Sequence, residues 1–119
     1  MNADIEKILQ YPDNWDGCGA VRVSENIGAR ADQLIQDLVG SGLPLPEEIL
    51  PNLNGTLTLY WSSDVGMCEV EMGETSYTIM VELADVSFNG RPPYFGFQAS
   101  GKPHLAYLRA VIAMLKTSS

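Results

Sequence analysis

At 119 residues and 13.0 kDa, the chain is expected to form a single domain, residues 1–119, because domains commonly run to about 100–150 residues. Hydrophobic residues at 45% and charged residues at 18% exclude the composition of a disordered chain or a membrane span. Fifteen acids against seven bases give a net charge of −8 and a pI near 4.3, which argues against direct nucleic-acid binding, since phosphate recognition draws on clustered Lys and Arg.

A first helix is predicted from about Ala3 to Gln10. Asn2 or Asp4 can cap it, Ile5, Ile8 and Leu9 form its apolar face, and Pro12 stops it. The segment Asp13-Asn14-Trp15-Asp16-Gly17-Cys18-Gly19-Ala20 then reads as a tight polar loop with two glycines. Ser24 is a good N-cap for a second helix, in which Ile27, Ala31, Leu34, Ile35 and Leu38 recur at three- and four-residue spacing up to Gly40-Ser41-Gly42. Leu43-Pro44-Leu45-Pro46 reads as an extended connector, each proline pushing the residue before it out of the helical region.

From Asn54 the period changes to two. Leu57, Leu59 and Trp61 share one face of a strand, Cys68, Val70 and Met72 one face of the next, and Tyr77, Ile79, Val81 and Leu83 one face of a third. A turn at Ser63-Asp64-Val65-Gly66 pairs Trp61 with Cys68 and Leu59 with Val70. A two-residue turn at Gly73-Glu74 would pair Met72 with Thr75, Val70 with Tyr77 and Cys68 with Ile79. Both registers gather the apolar residues on one side, as a half-buried sheet requires. A bulge near Ala84-Asp85, a turn at Asn89-Gly90 and an edge strand at Tyr94 to Phe97, behind Pro92 and Pro93, are expected next. A last helix starts near Gly101 to Pro103 and ends about Lys116, with Leu105, Leu108, Val111, Ile112 and Leu115 on its apolar face. The expected fold is α+β: an antiparallel meander of three to four strands covered on one face by helices, in the order ααββββα.

Cys18 and Cys68 read as two reduced thiols, and no ligand spacing points to a metal or other cofactor. The N-terminal MNADIEKILQYP lacks the apolar run of a signal peptide, and Leu105 to Leu115 is too short for the roughly 20 residues of a membrane span. A cytoplasmic protein with no membrane contact is expected.

Asn14-Trp15-Asp16-Gly17-Cys18-Gly19-Ala20, followed by a helix, a Pro-rich connector and Gly55-Thr56-Leu57-Thr58-Leu59-Tyr60-Trp61, resembles a group of small bacterial and phage proteins. These share an NWDGxGA segment and a downstream GxLxLxW strand, and the likeness covers about half of the chain. Cys18 stands where that group carries a larger, often aromatic, residue. The resemblance implies a bacterial or phage origin and carries over no functional residue.

No motif in the chain names a reaction. A Cys18–His104 or Cys68–His104 dyad would need the thiol beside its base, and a core-facing Cys68 is usually inert. Asp13 and Asp16, with Trp15 between them, form a secondary loop site that resembles a degenerate calcium loop without its later ligands. The plainer reading has Asn14 and Asp16 holding local backbone in Asx turns while Trp15 packs inward.

The outer face of the sheet is richer. The strand parity places Thr56, Thr58, Tyr60, Ser62, Met67, Glu69, Glu71, Ser76, Thr78, Met80 and Glu82 away from the helices, with Tyr60 opposite Glu69 and Met67 opposite Met80. Charge is unevenly spread: residues 51–90 carry −6, with Asp64 and Glu74 in the turns and no Lys or Arg, while residues 91–119 carry +4. Carboxylates around Tyr60, Met67 and Met80 make an anchor-and-rim surface suited to a protein partner, and an acidic face steers a basic one toward it. An ordinary solvated sheet face is the plainer alternative.

The leading expectation is a non-enzymatic inhibitor or binding protein. It would cover a basic surface, one used for nucleic acid, on a partner protein, in the manner of immunity proteins, antitoxins or phage anti-defence proteins such as anti-CRISPRs. A small enzyme or ligand-binding domain built on the Asp13–Asp16 loop is the second reading, and a homodimeric structural subunit joined through an edge strand the third.

Overall fold

The computed structural model describes residues 1–83 and 94–117. Helix α1 (Ala3–Leu9) is capped by Asn2, whose side-chain oxygen accepts from the backbone N–H groups of Asp4 (2.8 Å) and Ile5 (3.3 Å). These are donors the helix itself leaves unpaired. The Asn2 N–H in turn donates to Asp32 (2.7 Å) and so ties the start of α1 to the second helix. Helix α2 (Glu25–Gly40) begins at the Ser24 cap and ends in a Schellman turn. There Gly42, at φ 83°, takes the left-handed conformation and the Leu43 N–H reaches back to the Leu38 carbonyl (3.1 Å).

Among the described residues five strands follow before the last helix: β1 (Glu48–Pro51), β2 (Leu57–Ser63), β3 (Gly66–Met72), β4 (Ser76–Leu83) and β5 (Tyr94–Ser100), then α3 (Leu105–Thr117). The sheet is a simple antiparallel meander in the order β1-β2-β3-β4-β5. The α+β class therefore holds, but the element order is ααβββββα. The connector after Pro46 leads directly into β1, a strand the sequence pattern does not announce. It is four residues long, and Ile49 is its only half-buried large apolar side chain.

Leu57, Leu59, Trp61, Cys68, Val70, Met72, Tyr77, Ile79 and Val81 all point to the helical side, each at most 2% exposed. Helices α2 and α3 lie against β2 and β3, α1 against α2 and β1. The helices close the core with Ile27, Leu34, Leu38, Leu108, Ile112 and Leu115. Burying a side chain of this size stabilises the fold by about 1.5–3 kcal/mol, so this one-sided apolar face dictates which way the sheet turns. Trp61 is a telling case: its indole N–H donates to the Pro44 carbonyl (3.0 Å) and fastens the connector over the end of β2.

The β2–β3 register matches expectation, with Trp61 opposite Cys68 and Leu59 opposite Val70. The β3–β4 register is displaced by two residues: Met72 faces Tyr77, Val70 faces Ile79 and Cys68 faces Val81. The loop residues are Glu74 and Thr75, because the Gly73 N–H bonds to the Ser76 carbonyl (2.9 Å) and closes the ladder one position later. Met67 therefore lies opposite Glu82, and Met80 opposite Glu69. Strand β5 pairs with β4 along its whole length and forms the far edge, three residues longer than expected. The expected bulge near Ala84-Asp85 and the Asn89-Gly90 turn lie outside the described residues.

Candidate functional site

Because side chains alternate along a strand, everything the core does not take from the meander is presented on the opposite, helix-free face. Aligned across the strands, one row runs Glu48, Tyr60, Glu69, Met80, and the next runs Leu50, Thr58, Glu71, Thr78, Gln98. A third holds Ser62, Met67 and Glu82, which is paired with Tyr94 on β5. Neighbouring strands are about 4.8 Å apart and next-but-one residues about 7 Å, so these side chains form one continuous surface.

All the charged residues of the five strands are acids: Glu48, Glu69, Glu71 and Glu82, with no Lys or Arg. Register places all four on this face. Glu48 and the exposed Leu50 belong to it as well. Both went unseen because β1 itself did; its only signal was an extended Pro-bounded segment continuing past Pro46. The Thr56 hydroxyl lies within hydrogen-bond distance of both the Glu71 carboxylate (2.6 Å) and the Asn54 side-chain oxygen (2.8 Å), its one proton serving either acceptor in turn. Asn52 joins the same chain of polar groups by donating to Thr56 (2.9 Å) and Thr58 (2.8 Å). On the helical side α3 carries Arg109 and Lys116 and no acid, whereas α1 and α2 carry Asp4, Glu6, Glu25, Asp32 and Asp37 against Lys7 and Arg30, so the separation of charge is confined to the strands and α3.

Asp64 and Glu74, expected near this face, sit in turns at opposite ends of β3, which spans seven residues, or roughly 20 Å at about 3.4 Å per residue. Asp64 is exposed beside Ser63. Glu74 faces the start of α2: it accepts from the Asn26 side chain (2.6 Å), and Ser24, Asn26 and Arg30 together hold its carboxyl below the usual carboxylate range. That is a helix-anchoring position, where an acid is favoured by the helix dipole.

The Asp13–Ala20 loop uses its polar groups internally. One carboxylate oxygen of Asp16 accepts from the N–H groups of Cys18 (2.9 Å) and Ala20 (3.0 Å), which lowers its pKa. The Asn14 side chain accepts from the Gly19 N–H, and the Asp13 side chain accepts from the backbone N–H of Arg22 (3.0 Å). Asn14 itself adopts a positive φ of 62°, a conformation Asn tolerates better than most residues. Trp15 is half-buried, with its ring centroid 5.6 Å from that of Tyr11, and its indole nitrogen is buried without a hydrogen-bond partner.

Cys68 is fully buried within the sheet, and burial, reinforced by the charge of Glu69, pushes its thiol up to about 12. Cys18 is exposed on its loop, and His104, just before α3, sets its ring edge-on to Tyr77 at 6.4 Å. Among the described residues no three His, Cys, Asp or Glu side chains are grouped to hold a metal ion, and no helix is long and apolar enough to cross a membrane. No protein-family model matches the chain, and no curated protein or solved structure shows significant similarity to it.

Proposed function

We propose that the protein is a small acidic binding protein that acts without catalysis, occluding a basic surface of a partner macromolecule with the outer face of its sheet. The observation that carries this reading is the sorting of charge in the strands. Four glutamates and no base lie on a single face, interleaved with Tyr60, Met67, Met80 and Leu50. Such a surface offers apolar contact at its centre and carboxylates that compete for the same Lys and Arg side chains that would otherwise hold phosphates. A nucleic-acid-handling partner is the class this chemistry fits. An immunity, antitoxin or phage anti-defence role, including the anti-CRISPR type, in a bacterial cytoplasm belongs to the same proposal.

The Asp13–Asp16 loop offers less for a ligand, since its carboxylates are engaged by their own backbone. Replacing Glu69 and Glu71 by Lys tests the sheet-face reading. Both are half-buried on the outer face, so far-ultraviolet circular dichroism and the unfolding midpoint should stay near the wild type. Capture of the partner should weaken by at least about tenfold, the scale expected when close charge pairs at an interface are reversed. Unchanged capture by the folded variant would overturn the sheet-face assignment. Self-association seen as a concentration-dependent mass, with no other partner, would favour the homodimer instead.

A further inference from the structure

One end of the sheet carries a feature that the acidic face alone does not account for. Under the connector between α2 and β1 lies a cleft of about 350 Å³, at the low end of the range of roughly 300–1,000 Å³ typical of ligand pockets. Its accessible apolar surface comes from Pro44 and the 58% exposed Leu45, and Trp61, Ile112 and Leu115, each at most 2% exposed, form the packed base beneath. Pro44 forms a wall, held in place because its carbonyl accepts the Trp61 indole N–H. The rim is polar, with Glu47 entering from the start of β1 and Asp64 from the β2–β3 turn. Lys116 also borders the cleft, and its ammonium donates to the Gly42 carbonyl (2.8 Å), closing α3 onto the connector. Two rim carboxylates thus stand against one cation.

We infer that this cleft receives a single arginine side chain projecting from the partner, an inference that rests on the binding function proposed above. The shape and chemistry argue for this occupant. The volume suits one long side chain rather than a large cofactor. An arginine has an apolar stem for the Pro44–Leu45 wall and a weakly hydrated planar head for the rim carboxylates. Glu47 also links the cleft to the acidic face, because its carboxylate accepts from the hydroxyl of Ser62 (2.6 Å), a member of the third outer row. A basic segment lying across Glu69 and Glu82 therefore reaches the mouth of the cleft without leaving the protein surface.

Butylguanidinium, the alkyl stem and guanidinium head of an arginine with its Cα carbon included, is the direct probe. It should be titrated into ¹⁵N-labelled protein at physiological ionic strength, where exposed charges are screened over about 8 Å, with butanol as an uncharged control. The Trp61 indole signal and the amides of Ser62 to Asp64 and of Lys116 should shift saturably, with a dissociation constant on the order of 10 mM. The Trp15 indole serves as the internal reference and should not move. Glu47→Gln combined with Asp64→Asn, both at exposed positions, should weaken binding by about fivefold or more, and butanol should fail to reproduce the shifts. The Glu69→Lys/Glu71→Lys protein should bind the probe as the wild type does, which separates the cleft from the sheet-face reading. Shifts that never saturate, that spread over all the acidic residues, or that persist in the Glu47→Gln/Asp64→Asn protein would overturn the inference while leaving the sheet-face proposal standing.

Discussion

Arg30 holds together three segments distant in sequence, and its removal tests whether the sheet is anchored to the helices as described. Its half-buried guanidinium projects from α2 and donates through one nitrogen to the carbonyls of Gly73 and Ser76 and through the other to that of Gly101. One side chain thereby fixes the β3–β4 turn and the end of β5. A hydrogen bond from a charged donor contributes about 1.5–3 kcal/mol. Ser76 and Gly101 are exposed and can turn to water when the donor is lost, whereas Gly73 is buried. The full cost of one bond and a fraction of the other two therefore apply, and Arg30→Ala should destabilise the protein by roughly 2–3 kcal/mol. For a domain of this size that lowers the melting temperature by about 10 °C. Arg30→Lys presents a point charge that cannot span the same three acceptors and should recover less than half of the loss. Urea unfolding measures both variants. Hydrogen exchange at the Gly101 N–H, bonded to the Thr75 carbonyl (2.7 Å), should quicken in step. A loss below about 0.5 kcal/mol, within the range of an ordinary surface substitution, or full rescue by lysine, would refute the reasoning.

Two further predictions concern titration and thiol chemistry. Asp16 and Glu74 are both held below their ordinary values in the folded protein, Asp16 by backbone N–H groups and Glu74 chiefly by the Ser24 and Asn26 side chains. A carboxyl whose folded value is depressed adds stability that is present above its unfolded value and lost as pH falls through the folded one. Unfolding midpoints should therefore decline from about pH 5 downward, and the decline should flatten in Asp16→Asn and Glu74→Gln. A maleimide at neutral pH should modify one thiol, the exposed Cys18, while Cys68, buried and pushed up to about 12, should react only after denaturation. Two thiols labelled at equal rates in the native protein would contradict the packing of β3.

The parts of the fold that sequence pattern reveals are those where one face alone is apolar. Along β2, β3 and β4 the alternation is strict, and it correctly separates Leu59, Val70 and Ile79 from Tyr60, Glu69 and Met80. The β3–β4 register was less legible for a physical reason. A slip of two residues leaves every side chain on the same face, so only the turn geometry at Gly73 and Ser76 decides it. Strand β1 carries almost no signal, since its sequence Glu-Ile-Leu-Pro offers a single half-buried aliphatic and terminates in proline. Missing it hid Glu48 and Leu50 from the outer face and Glu47 from the rim of the cleft. The three helices were legible because their caps and periodicity agree: Asn2 and Ser24 cap as read, although α3 starts at Leu105, after Pro103 rather than around it. The cleft had no sequence signature, because Pro44, Trp61, Asp64 and Leu115 meet only through the connector, the β2–β3 turn and α3.

Charge on an open sheet face gives binding a clear dependence on salt, since exposed charges are screened over about 8 Å at physiological ionic strength. Affinity capture from lysate of the bacterial host proposed above, at low and at high salt, with mass spectrometry of the retained material, therefore bears most directly on the central claim. The account predicts one stoichiometric nucleic-acid-handling protein that is held at low salt, released at high salt, and lost when Glu69 and Glu71 are replaced by Lys. No retained partner, or one held equally at both salts and by the variant, would contradict it.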